Sequence, residues 1–220
     1  MPPSLIVFDL DGTLIDSAAD LATAINAMLA HFGCEALPVP EVRRMIGDGV
    51  AMLVTRALAA RHCEDADPAE AARIFMRHYE ADATSLTTAF PGAAAALQAL
   101  RAAGIPLAVC TNKPARITAD ILGSLGLAPY FMRVIGGDSL PFRKPDPRVL
   151  LTLVAAEAAA PERSLLVGDS EVDAATARAA GVPFVLMKHG YRRGPAEGMA
   201  CLAALENFAE LPPLVLALPH

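Results

Sequence analysis

Asp9 and Asp11 close an unbroken apolar run, Leu5-Ile6-Val7-Phe8, and Gly12-Thr13 follows at once. Side chains alternate along an extended segment, so the two carboxylates project to one side. Two carboxylates held that close repel unless a cation or a shared proton comes between them. A hard divalent ion such as Mg²⁺ meets that need with one or two carboxylates, phosphate oxygens and water. Taken alone, Asp-x-Asp-Gly is equally a solvated acidic turn, and the later stretches weigh against that. Thr111-Asn112-Lys113-Pro114 follows an apolar run ending at Cys110, and Gly168-Asp169-Ser170-Glu171-Val172-Asp173 follows another ending at Val167. Arg143-Lys144-Pro145-Asp146-Pro147 adds a lysine in a loop whose prolines restrict the backbone.

Phosphoryl transfer needs these residue types together. A carboxylate can attack phosphorus and divide hydrolysis into two steps. A second carboxyl can give a proton to the leaving oxygen and later take one from water. A divalent cation screens the repulsion between nucleophile and phosphate, while hydroxyl, amide and ammonium donors stabilise the equatorial oxygens. Each residue also has a plainer role. Thr111 and Asn112 suit a strand end and a turn, and Lys144 a solvated loop. Asp169 suits a helix N-cap and Asp173 a first-turn acid. His189 reads as a surface loop residue.

The elements that must position these groups follow from periodicity. Leu5–Phe8 has the form of a strand buried on both faces of a parallel sheet. Residues 15–85 show helical spacing without a convincing strand. Ser17 is placed as an N-cap, Pro68 opens a later helix, and Ile74, Phe75 and Tyr79 lie on that helix's inner face. Beyond Phe90-Pro91-Gly92 the rhythm is helix, glycine, strand. Strands are expected at 105–110, 133–135, 164–167 and 182–187, and the segment 201–218 is ambiguous. This alternation predicts an α/β fold, a doubly wound parallel sheet with a Rossmann-like core (1–14 and 86–220) and an inserted all-helical cap (15–85). In such a sheet the crevice lies at the carboxyl ends of the strands, where the candidate residues fall.

A chain of 220 residues with a net charge of −6 suits one large domain or a core plus a small module, and argues against a nucleic-acid surface. Met1-Pro2-Pro3 lacks the pattern of a secretory signal, and no apolar run approaches the roughly 20 residues of a membrane span. Cys34, Cys63, Cys110 and Cys201 are scattered, which predicts reduced, mostly buried thiols and a cytoplasmic protein. Monomer and homodimer are both open.

The stations Asp9-Leu10-Asp11-Gly12-Thr13, Thr111, Lys144 and Gly168–Asp173 resemble, in order, the haloacid dehalogenase superfamily. The resemblance implies Asp9 as nucleophile and Asp11 as general acid/base. It implies Mg²⁺ held by the Asp9 carboxylate, the Asp11 backbone carbonyl and Asp169, with Asp173 supporting directly or through water. Thr111, Asn112 and Lys144 would hold the phosphoryl group. Asp11 separates the chain from the name-giving dehalogenases, which lack an acid there. The lysines are Lys113, Lys144 and Lys188, so the cap lacks the Schiff-base lysine of phosphonate hydrolysis. Asp11–Ser17, Ile46–Gly49, Phe90–Gly92, Thr111–Pro114 and Arg143–Pro147 look most like bacterial enzymes acting on 2-phosphoglycolate. The implied activity is a Mg²⁺-dependent phosphatase for a small phosphorylated substrate, with sugar phosphates, pyrophosphate and nucleotides as alternatives. A phospho-accepting receiver module is a further alternative, but it leaves the helical insertion without a purpose. A substrate carboxylate would call for a second cation, either Lys113 or one of Arg43 and Arg44. Those arginines precede Gly47 and Gly49, which let a cap loop approach the ester closely. Both arginines equally suit a solvated helix.

Overall fold

The computed structural model describes residues 3–63 and 65–218; Met1 and Pro2, which bear on the reading of the N-terminus, lie outside them. In chain order the strands are β1 (Leu5–Phe8), β2 (Ile15–Asp16), β3 (Thr88–Ala89), β4 (Leu107–Cys110), β5 (Arg133–Ile135), β6 (Ser164–Gly168), β7 (Phe184–Met187) and β8 (Ala203–Leu205). The helices are α1 (Ala18–His31), α2 (Val39–Arg43), α3 (Val50–Ala60), α4 (Pro68–Ala81), α5 (Ala93–Ala102), α6 (Ala115–Ser124), α7 (Pro147–Ala156), α8 (Glu171–Ala180) and α9 (Leu211–Leu216). Six strands form one parallel sheet in the order β5-β4-β1-β6-β7-β8. The expected doubly wound sheet is therefore present. The ambiguous segment 201–218 supplies its sixth strand and the final helix.

β1 lies inside the sheet and pairs with two neighbours, Val7 standing opposite Ala108 on β4 and Leu166 on β6. Alternation divides its side chains between two apolar layers. Ile6 and Phe8 pack with Leu107, Val109, Leu165 and Val167 beneath α5 and α6. Leu5 and Val7 pack with Ala108, Cys110 and Leu166 against α7 and α8. The chain leaves β1 for β4 and β5 on one flank and returns to β6 on the other. Their outgoing loops thus diverge around a crevice at the carboxyl edge of β1.

Between β2 and β3 the described chain is helical. β2 and β3 form a short antiparallel ribbon, Ile15 opposite Ala89 and Asp16 opposite Thr88, at the start and end of the helical block. No strand was expected at Ile15–Asp16. A pair this short carries no readable alternation and becomes extended only because its partner lies more than seventy residues on. Asp67 caps α4 by accepting from the amides of Ala69 and Glu70, with Pro68 as its first residue. Ser17 precedes α1 but makes no capping bond, because its hydroxyl donates to Asp11 instead. Cys34 and Cys63 form a disulfide, which corrects the expectation of reduced thiols for this pair. Cys110 and Cys201 are free. Among the described residues no helix is long and apolar enough to cross a membrane.

Asp20, buried on α1, fixes the return from the helical block. Its carboxylate accepts from the amides of Leu86 and Thr87 at 2.8–3.1 Å and from the Thr87 hydroxyl at 2.6 Å. Asp20→Ala leaves those donors without their acceptor. It should lower stability by about 2–4 kcal/mol, read as a reduced urea midpoint. An unchanged midpoint would show that the segment is held by other contacts.

Candidate active site

The first carboxylate group follows from the sheet. Asp9 stands directly after β1 and Asp169 directly after β6, so the pairing of these two strands sets them side by side. Asp173 lies in the first turn of α8, where Ser170 and Asp173 form a reciprocal capping box. The plainer role proposed for Asp169, the N-cap, belongs to Ser170. Oxygens of Asp9, Asp169 and Asp173 lie within 4.8 Å of one another, and all three residues are buried.

Close approach here depends on missing side chains. At Gly12, whose φ is +84°, a Cβ would fall 2.4 Å from Asp169 Oδ2. A Cβ at Gly190 would fall 2.2 Å from the Cβ of Asp169. Only glycine allows both backbones to close on this carboxylate. Asp169 also accepts from the Thr13 hydroxyl (2.8 Å) and the Tyr191 amide (2.6 Å).

The counter-charge is Lys144. Its ammonium lies 2.8 Å from Asp9 Oδ1 and 2.6 Å from Asp173 Oδ1. Burial works against this cation, yet Asp173 and Asp9 hold its pKa above the ordinary lysine value. One ammonium does not balance three acids. Burial, followed by the charge of Asp173, pushes Asp9 up to about 7 against the pull of Lys144. Burial and the neighbouring charges of Asp173 and Asp9 likewise raise Asp169 well above the usual carboxylate range. Asp9 Oδ1 lies 2.8 Å from the Lys144 ammonium and has no other polar partner among the described residues. A buried all-oxygen set with surplus negative charge fits a hard divalent cation.

Asp11 faces a different partner. Lys113 donates to its two oxygens at 2.8 and 3.1 Å, and Ser17 donates to one of them. Lys113 is buried, and although desolvation opposes it, Asp11 keeps its pKa above the ordinary lysine value. Asn112 donates from its amide to the carbonyls of Gly47 and Lys144, both at 3.0 Å. One side chain thereby ties the Gly47–Gly49 loop to the loop carrying the phosphate-binding candidate.

Asp9, Asp11, Thr111, Asn112, Lys113, Gly47 and Gly49 line one small cavity together with the apolar Leu21, Ile46, Val50, Leu53 and Phe75 and with Tyr79. Lys144, Asp169 and Asp173 do not line it but cluster around Asp9, which does. Arg43 and Arg44 do not reach it. Arg43 pairs with Asp16 at 2.7 Å and lies over the Tyr191 ring; Arg44 is exposed.

Three residues at the site's edge were not singled out from sequence as contributing to it. Tyr191 donates its hydroxyl to Asp16 at 2.6 Å while its amide holds Asp169. Arg193 bonds to Asp48 and to the carbonyls of Arg44 and Ile46. His189 corrects its reading as a surface residue: it is half-buried, contacts the Thr13 carbonyl at 3.1 Å and packs 4.1 Å from the Phe90 ring. All three sit in a segment without periodicity, so only tertiary contact reveals them.

Residues 6–187 match the model of the haloacid dehalogenase-like hydrolases. The chain is 47% identical, over 96% of each chain, to a phosphoglycolate phosphatase of Cereibacter sphaeroides (strain ATCC 17025). It is 45% identical to one of Rhodospirillum rubrum, over 95% of this chain and 89% of that protein. The crystal structure of a predicted phosphoglycolate phosphatase from Haemophilus somnus 129PT superposes with a TM-score of 0.90. That structure is 32% identical, over 96% of this chain and 97% of the other.

Because surplus carboxylate charge defines this site, Mg²⁺ should stabilise the fold, by about 2.7 kcal/mol at a hundred times its Kd. Asp9→Asn removes one charge and one oxygen donor. It should melt no lower than wild type in chelator and show a much smaller Mg²⁺-induced rise in Tm. Equal rises in both proteins would place the cation elsewhere.

Proposed function

This chain belongs to the haloacid dehalogenase-like hydrolases, and from that premise we propose that it is a phosphatase cleaving 2-phosphoglycolate to glycolate and inorganic phosphate. The observation that carries the reading is the meeting of Asp9, Asp11, Thr111, Asn112 and Lys113 around one small, largely apolar cavity. The near-full-length similarity to phosphoglycolate phosphatases supports the choice of substrate.

In this reading an oxygen of Asp9 attacks phosphorus as the bond from phosphorus to the ester oxygen breaks. Asp11 gives its proton to that leaving oxygen, and glycolate departs. Water then attacks the phosphorus of the aspartyl-phosphate, Asp11 takes the water's proton, and Asp9 leaves as a carboxylate. Ser17 and Lys113 orient Asp11 for both transfers. Lys144 and the hydroxyl of Thr111 meet the charge on the phosphoryl oxygens, and Asn112 positions the loops that carry them. Asp9, Asp169 and the Asp11 carbonyl, supported by Asp173, would hold Mg²⁺, which would supply charge neutralisation of the phosphoryl group. Residues 15–85 act as the cap, presenting Gly47 and Gly49 to the ester. Lys113 is the cation assigned to the substrate carboxylate, because it lines the cavity while also touching Asp11, and neither arginine lines it.

Two measurements check this function. In a panel of purified phosphate esters, 2-phosphoglycolate should give the highest kcat/KM, with glucose 6-phosphate, pyrophosphate and AMP well below it. A preference for any of those three would replace the proposed substrate, and the absence of multiple turnover would favour a receiver. Asp11→Asn should lose on the order of 10²–10⁴ in kcat while keeping its Mg²⁺-induced rise in Tm. Normal turnover in that variant would remove Asp11 from acid–base chemistry.

A further inference from the structure

Tyr79, in the last turn of α4, is 1% exposed and lines the same cavity as Asp9 and Asp11. Its ring stacks on Phe75 at a centroid distance of 5.5 Å and an interplanar angle of 24°. The Lys113 ammonium lies 4.8 Å from its ring centroid. Phenylalanine would make both ring contacts equally well. What distinguishes tyrosine is the hydroxyl, which is buried; its neighbouring polar group is the Lys113 ammonium, which can only donate, so the phenol proton has no acceptor among the described residues. A hydroxyl left in that state opposes folding, so packing alone gives no reason for it.

The walls around it narrow the choice of partner. Leu21, Ile46, Val50, Leu53 and Phe75 offer no side-chain polarity. Asn112 has committed its donors to Gly47 and Lys144, leaving its Oδ1 as an unpartnered acceptor. A polyol would meet apolar surface along most of that wall. A carboxylate, which only accepts, needs a few donors, and Tyr79 and Lys113 supply them side by side. Burial pushes the Tyr79 phenol up to about 12, so it carries its proton at neutral pH.

Resting on the phosphoglycolate reading, we propose that the Tyr79 hydroxyl is a specificity-determining donor, hydrogen-bonding the substrate carboxylate beside the Lys113 ammonium. The helical block then reads the acid end of the substrate through a phenol near the end of α4, while Gly47 and Gly49 of the same block line the cavity. Selectivity follows from the unpaired state. An ester without the carboxylate leaves the hydroxyl buried and unsatisfied, and a site of that kind discriminates strongly against the analogue lacking the partner group.

The test compares wild type with Tyr79→Phe on 2-phosphoglycolate and on ethyl phosphate, in which a methyl group replaces the carboxylate. Tyr79→Phe should lose about ten- to a hundredfold in kcat/KM for 2-phosphoglycolate. It should stay within about twofold on ethyl phosphate and melt at or above the wild-type Tm. Selective wild type with undiminished selectivity in Tyr79→Phe would overturn the Tyr79 assignment alone. Equal losses on both esters, or a marked fall in Tm, would make the hydroxyl a structural group and overturn it as well. A wild type that cleaves ethyl phosphate as efficiently as 2-phosphoglycolate would overturn the substrate reading and this inference together.

Discussion

Three buried carboxylates with a single lysine among them are the constraint on which the rest of the molecule depends. Asp9, Asp169 and Asp173 are crowded to within a few ångströms, and Lys144 bridges only Asp9 and Asp173. Such an arrangement is unfavourable in isolation and persists only where the surrounding structure leaves no alternative. Here the carboxylates are fixed by β1, β6 and the first turn of α8, each anchored in an apolar layer of the sheet. The surplus negative charge left by this crowding suits a hard divalent cation.

From that point the structure works outward. Gly12 and Gly190 bring backbone against Asp169, and Thr13 and Tyr191 satisfy its oxygens. Tyr191 passes the connection on to Asp16, and Asp16 pairs with Arg43. Asn112 makes a second connection from the sheet edge to Gly47. The helical block is thus joined to the carboxylate cluster by polar contacts on two sides, while its apolar residues continue the layer above the sheet.

How much of this was legible in the sequence differs by layer. Unbroken apolar runs such as Leu5–Phe8 and Leu165–Val167 mark buried parallel strands, and acids at their ends read as site residues because sheet geometry gathers strand ends. The short ribbon Ile15–Asp16 with Thr88–Ala89 was not legible, since its pairing is wholly non-local. Arg43 and Arg44 had the right charge for a substrate acid, but Asp16 claims one and solvent the other. Sequence adjacency to Gly47 misled because direction, not proximity along the chain, decides what a helical side chain meets. Tyr79 was read as packing, and its ring does pack. Only three-dimensional accounting shows that its phenol proton lacks an acceptor among the described residues. The disulfide between Cys34 and Cys63 was equally hidden, because no sequence spacing announces that the ends of α1 and α3 converge.

Asp9, the acid that directly follows β1, is the proposed nucleophile, whose oxygen bonds to phosphorus in the aspartyl-phosphate. Acid-quenching the enzyme during turnover of 2-phosphoglycolate labelled in its phosphate, followed by peptide mapping, tests it most directly. The account predicts a single phosphorylated peptide spanning residues 4–13 with the phosphate on Asp9. Phosphate on Asp11 or on a serine would contradict it.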